Sequence, residues 1–120
     1  MEFKGNQPIY MQIADYFCEN ILTKEWKENE KIPSVREMAV QVEVNPNTAI
    51  RAYNFLQDQG IIYNKRGIGY FVAENGNTKA LEMRKGEFIR KDVPVFFKTM
   101  KLLNLTFNDL QPLYNSTINP

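Results

Sequence analysis

The sequence predicts a mostly α-helical chain carrying one small β-hairpin, and three observations predict it. Apolar residues recur at helical spacing in three successive stretches before Gly60, and each stretch opens on a start signal. Two short runs rich in β-branched and aromatic residues, 61–64 and 70–72, then flank a turn holding Gly67 and Gly69. From Thr78 onward the chain returns to helix-compatible spacing. At 120 residues this is one small domain with an appendage. The division expected is 1–75 for the domain and 76–120 for a helical tail.

A short polar lead, Met1 to Gln7, precedes the first helix, which Pro8 starts. Ile9, Ile13, Phe17 and Ile21, with Tyr10, Ala14 and Leu22 one step round, form its apolar stripe, while Asp15, Glu19 and Asn20 face away. The helix is expected to end near Leu22 or Thr23. Cys18 falls within the apolar pattern and reads as a buried structural thiol. Lys24 to Lys31 is charged and reads as a turn, with Trp26 packing over the helix end. Ile32 precedes Pro33, is biased toward extended backbone, and is expected to pair once with a strand.

Ser34-Val35-Arg36-Glu37 is a capping box, in which Ser34 caps and Glu37 reaches back to its N–H. The second helix runs to about Val42 with Val35, Met38, Ala39 and Val42 inward. Arg36 points outward in the first turn, where a cation opposes the helix dipole, so helix stability does not explain it. After a tight connection at Glu43-Val44, Asn45 caps a third helix and Pro46 fills its first position. Ala49, Ala52, Tyr53 and Leu56 form the inner stripe; Asn47, Arg51 and Asn54 lie opposite, with Thr48 and Ile50 at the flanks. Gly60 ends the helix.

Two short helices joined by a tight turn make a helix-turn-helix. An outer face of amides, a guanidinium and a hydroxyl suits base edges and phosphates. An ordinary solvated helix presents such a face too. The hairpin that follows carries Lys65 and Arg66 at its tip beside Gly67 and Gly69, which has the position and charge of a wing. The candidate DNA-facing residues are therefore Ser34, Arg36, Asn45, Asn47, Thr48, Arg51, Asn54, Lys65, Arg66, Gly67 and Gly69.

In the tail, Pro94 must split or kink the helix near Asp92 or Val93. Thr106 can cap a last helix from Phe107 to about Tyr114, although Pro112 weakens that expectation. The tail's apolar residues need burial that so short a segment cannot give. Folding back on the first domain or pairing with another chain would supply it; of the two, a symmetric homodimer is expected, through Leu81, Phe88, Ile89, Phe96, Phe97 and Met100.

Composition bounds the function. Fifteen Lys/Arg against fourteen Asp/Glu give a net charge of +1. Residues 1–75 hold eight Lys/Arg and ten Asp/Glu, so any DNA contact there works through a few placed cations rather than a broad basic surface. One cysteine and no histidine leave a zinc site or a histidine-based triad without ligands. No nucleophile–base pair is visible, no metal or cofactor is expected, and no residue stands out for a small-molecule effector. No apolar run approaches the roughly 18 residues of a membrane span, and a cytoplasmic protein is expected.

Over Pro8 to Val72 the chain resembles the winged helix-turn-helix domain of the GntR family of bacterial transcription regulators. The residues that carry the resemblance are Pro8-Ile9-Tyr10-Met11-Gln12-Ile13, Lys31-Ile32-Pro33-Ser34-Val35-Arg36-Glu37-Met38-Ala39, Val44-Asn45-Pro46-Asn47-Thr48, Arg51-Ala52-Tyr53, Leu56, Gly60-Ile61-Ile62 and Arg66-Gly67-Ile68-Gly69-Tyr70-Phe71-Val72. The Asn-Pro-Asn-Thr…Arg-Ala-Tyr variant and the short helical tail are similar to the YtrA-like subfamily. The resemblance implies a regulator, more often a repressor, that binds double-stranded operator DNA as a homodimer, with Arg36, Thr48, Gly67 and Gly69 at the DNA. Pro46 and Ile50 depart from residues common in the family, and Arg51 stands one place beyond the usual arginine. Its contact follows from its place on the outer face. The competing expectation is a winged helix used for protein interaction without DNA readout, which the acidic balance of residues 1–75 favours.

Overall fold

A computed structural model describes the chain from Met1 to Pro120 except Glu2, Lys4 and Asn6, so part of the polar lead lies outside the described residues. The elements are α1 (Ile9–Leu22), α2 (Val35–Gln41), α3 (Pro46–Asp58), β1 (Ile62–Lys65), β2 (Gly69–Val72), α4 (Gly76–Glu87), a π-helical turn (Phe88–Asp92), α5 (Val93–Leu102) and α6 (Phe107–Ile118). They form two compact units, Met1–Arg84 and Lys85–Pro120.

In the first unit, α1 and α2 both pack on α3. Ile13, Phe17 and Ile21 of α1 are buried with Met38 of α2 and Ala52, Tyr53 and Leu56 of α3. Ile61, Ile62 and Val72 carry the hairpin into this core. Aromatic rings run through it edge to face: Trp26 on Phe17 at 5.0 Å, Phe17 on Tyr53 at 5.0 Å, and Tyr53 on Tyr70 at 4.8 Å between centroids. Each such pair adds about 0.5–1.5 kcal/mol beyond burial. Trp26 thus closes the end of α1, as its position in the charged turn suggests.

The two strands are antiparallel, with Ile62 opposite Val72 and Lys65 opposite Gly69. The segment before Pro33 pairs along β2. The bridge is centred on Lys31 opposite Phe71, and the Ile32 N–H donates to the Tyr70 carbonyl at 3.0 Å. The Val72 N–H donates to Glu30, and the Asn29 N–H to Val72, at 3.0 and 2.8 Å. The chain that leads into α2 is thereby fixed to the hairpin.

Helix α4 begins in the first unit, not beyond it. Gly76 is buried, and a Cβ there would stand 2.7 Å from the Ile61 carbonyl oxygen and 2.9 Å from Val72 Cγ1. Asn77 Nδ2 donates to the Ile21 carbonyl at 3.0 Å. Arg84 donates to the Asp15 carbonyl at 3.1 Å and lies 3.6 Å from the Asp15 carboxylate. Of the polar stretch 73–77, only the residues before Gly76 form a turn, and the rest opens α4.

In the second unit, Pro94 has no N–H to return to the Arg90 carbonyl, and the ladder shifts register before it. The Val93 N–H reaches back to the Phe88 carbonyl, and 88–92 widens into the π-helical turn. Thr106 and Asp109 form a second capping box, the Thr106 N–H donating to Asp109 Oδ2 at 2.8 Å. Helix α6 continues through Pro112 to Ile118, past the end expected near Tyr114. Pro112 sits in the second turn and has no N–H to return to the Asn108 carbonyl, yet the helix runs through it.

Candidate nucleic-acid interface

Helix α2 starts on the expected capping box. Ser34 Oγ accepts from the Glu37 N–H at 3.1 Å, and Glu37 Oε1 accepts from the Ser34 N–H at 3.1 Å. The bond from the Ser34 backbone, then that from its side chain, hold the Glu37 carboxyl below its ordinary value. Arg36 is exposed in the first turn and has no ion pair among the described residues.

The turn between α2 and α3 closes by two backbone bonds, Val44 N–H to Ala39 at 2.9 Å and Glu43 N–H to Val40 at 3.3 Å. Glu43 takes the left-handed position at φ +57°, a place glycine usually fills. Asn45 Oδ1 then accepts from the Asn47 N–H at 2.8 Å and caps α3. Its side-chain oxygen is engaged in the cap; its amide N–H groups are not.

Helix α3 buries Ala49, Ala52, Tyr53 and Leu56. Asn47, Arg51 and Asn54 are exposed on the opposite face, and Thr48 and Ile50 are half-buried at its flanks. Ile50 packs against the core. The Tyr53 hydroxyl donates to the Pro33 carbonyl at 2.6 Å, with the Ser34 carbonyl at 3.1 Å. This fixes the outer face of α3 relative to the start of α2. Burial, then the neighbouring Tyr70 and Glu37, push the Tyr53 phenol far above its ordinary value, so it stays a donor.

Arg51 does not project freely. Its guanidinium carbon lies 4.3 Å over the centre of the Tyr10 ring, and Tyr10 packs edge-on against Phe55 at 6.4 Å. Sequence spacing places Tyr10 on the apolar stripe of α1 and gives no sign of this cation–ring contact.

At the hairpin tip, the Ile68 N–H closes a turn onto the Lys65 carbonyl at 2.9 Å, and Gly67 takes φ +80°. Lys65, Arg66 and Gly67 are exposed, and Gly69 is half-buried. Lys65 Nζ lies 4.9 Å over the Phe71 ring, so Arg66 is the less restrained of the two tip cations. In the second unit Phe88, Ile89, Phe96 and Phe97 are exposed, as is Leu81 on α4, whereas Met100 is only 7% exposed within its own chain. No helix among the described residues is long and apolar enough to cross a membrane.

A capped helix with a polar outer face, braced on a second helix and followed by a basic-tipped hairpin, is the build of a winged helix-turn-helix domain. The comparisons agree. Residues 9–72 match the gntR family of bacterial regulatory proteins, and the chain belongs to that family. It is 39% identical over 109 residues to the HTH-type transcriptional regulator YhcF of Bacillus subtilis, covering 91% of this chain and 88% of the relative. It is 40% identical over 79 residues to the HTH-type transcriptional repressor YtrA of the same organism, covering 66% and 61%. A GntR-family putative transcriptional regulator from Bacteroides thetaiotaomicron superposes with a TM-score of 0.76 at 42% identity, over 92% of this chain and 96% of that one. The DNA-binding domain of AraR, solved with operator ORX1, superposes with a TM-score of 0.57 at 30% identity over 60% and 93%. The chain is thus a GntR-family transcriptional regulator with a DNA-binding winged helix, YtrA-like in its relatives, and not an enzyme.

Proposed function

We propose that the chain is a repressor that binds a two-fold operator as a homodimer, with α3 in the major groove. The observation that carries this reading is the outer face of α3, where Asn47, Arg51 and Asn54 stand exposed above a buried stripe. Amides suit adenine edges, and a guanidinium suits guanine O6 and N7. Thr48 flanks the face. Ser34, Arg36 and Asn45 lie at the helix starts, where N–H and cationic groups meet phosphates. Lys65 and Arg66, with Gly67 and Gly69 allowing close backbone approach, would reach the backbone or the adjacent minor groove. Because residues 1–75 are slightly acidic, these few cations would carry the phosphate contacts.

The dimer reading rests on exposed apolar surface. Phe88 and Ile89 are 57% and 56% exposed, with Phe96 and Phe97 close behind. A chain that leaves such residues in water has a partner surface to offer. A second copy is the fitting partner, since a two-fold protein matches two half-sites. Repression is proposed from the YtrA relative, which is named a repressor. Such a regulator would work in the cytoplasm.

Selection of bound duplexes from a random pool tests the reading. Two inverted copies of one half-site at fixed spacing are expected. Recovery of no shared sequence by folded protein would overturn it in favour of a protein-interaction module.

A further inference from the structure

We propose that Tyr10 is a positioning residue for base recognition, holding the Arg51 guanidinium by its π-face so that its N–H edge is aimed at a base. The proposal rests on the DNA-binding reading of α3 and goes beyond it, because Tyr10 lies on α1. Three observations carry it. The Arg51 guanidinium carbon sits 4.3 Å from the Tyr10 ring centre, within cation–π range. The ring is itself held, half-buried and packed edge-on against Phe55 at an interplanar angle of 69°. Phe55 lies one turn beyond Arg51 on α3, so the same helix supplies both the cation and the wall behind the ring.

The chemistry follows from the shape of the side chain. A guanidinium has five N–H donors, all in its plane, and stacking uses only the face. With its plane laid on the Tyr10 ring, Arg51 would keep its full fork for a guanine while losing much of its freedom to swing. A phosphate asks little of orientation, since its oxygens accept from many directions. A bidentate base contact asks for a fixed plane. Tyr10 should therefore act on discrimination between sequences, not on affinity for DNA in general. No ion pair competes for Arg51 among the described residues.

The test uses the full chain and two duplexes, one selected from a random pool and one of the same composition scrambled. Affinities are read by fluorescence anisotropy for wild type, Tyr10→Phe, Tyr10→Leu, Tyr10→Met, Arg51→Ala and Tyr10→Leu/Arg51→Ala, with thermal melting to confirm folding. Tyr10→Phe keeps the ring and should stay within about twofold of wild type on both duplexes. Tyr10→Leu and Tyr10→Met should lose about tenfold on the selected duplex and under about twofold on the scrambled one. In the Arg51→Ala background, Tyr10→Leu should cost nothing further. Equal losses on both duplexes, an undiminished loss without Arg51, or a Tyr10→Phe variant as poor as Tyr10→Leu would each overturn the proposal. Wild type binding neither duplex would remove the DNA reading and this proposal with it. Discrimination that survives Tyr10→Leu intact removes this proposal alone.

Discussion

The Tyr53 hydroxyl lies 2.6 Å from the Pro33 carbonyl, so the middle of α3 is tied to the residue that precedes the cap of α2. The bond spans the two helices whose mutual setting decides which side chains face outward. Tyr53→Phe removes the donor and leaves the carbonyl without its partner. A loss of about 1–2 kcal/mol in unfolding free energy is expected, read from the urea midpoint.

The same residue sets an alkaline signature. The folded phenol titrates above its ordinary value of 10.0, chiefly through burial. Its contribution is therefore fully present below about pH 10 and is lost as pH rises beyond that, where the unfolded chain releases the proton first. Tyr53→Phe should show a flatter stability profile above about pH 10 than wild type, measured by urea titration across that range.

At the start of α2, Ser34→Ala removes the acceptor of the Glu37 N–H and should cost about 0.5–2 kcal/mol. The Glu37 carboxyl is held below its ordinary value of 4.5 by the Ser34 bonds. Its contribution is present above that value and is lost as pH falls through the lower folded one. Glu37→Gln does not titrate, so its stability should vary less than that of wild type between about pH 5 and pH 3.

Arg36 is exposed, without an ion pair among the described residues, and outside the core. Arg36→Ala should leave the melting temperature unchanged. It should weaken binding alike on selected and scrambled DNA, and reduce the slope of log K against log salt by about one. A loss confined to the selected duplex would instead make Arg36 a base contact.

Phe88 is 57% exposed in the π-helical turn, so a charge there costs its own chain little. Phe88→Glu should shift the protein from dimer to monomer in sedimentation and lower operator affinity with it. A mutant that remains dimeric would remove Phe88 from the interface.

Much of this architecture was legible locally. The Ser34 box, the Asn45–Pro46 start and the break before Pro94 each rest on bonds within one turn of the chain. The inner stripe of α3 was legible from spacing alone. What spacing does not carry is the pairing of distant residues. Tyr10 and Phe55 look like ordinary apolar positions until α1 lies beside α3 and Arg51 covers the ring. The buried start of α4 depends on Gly76 meeting Ile61 and Val72, a contact between elements with no local signature. Two turns after helices, one of them the expected Glu43-Val44 connection, form without a glycine. Glu43 and Asn104 take the left-handed position at φ +57°, held by backbone bonds where a glycine would have announced the turn.

The most direct test of the central claim is the affinity of the full chain for its selected duplex and for a scrambled one, titrated over salt. If α3 reads bases while the few cations hold phosphates, both affinities fall steeply with salt, and the selected duplex stays about a thousandfold or more tighter throughout. Folded protein that binds neither duplex at about 50 mM salt, or binds both equally at every salt concentration, would contradict the account.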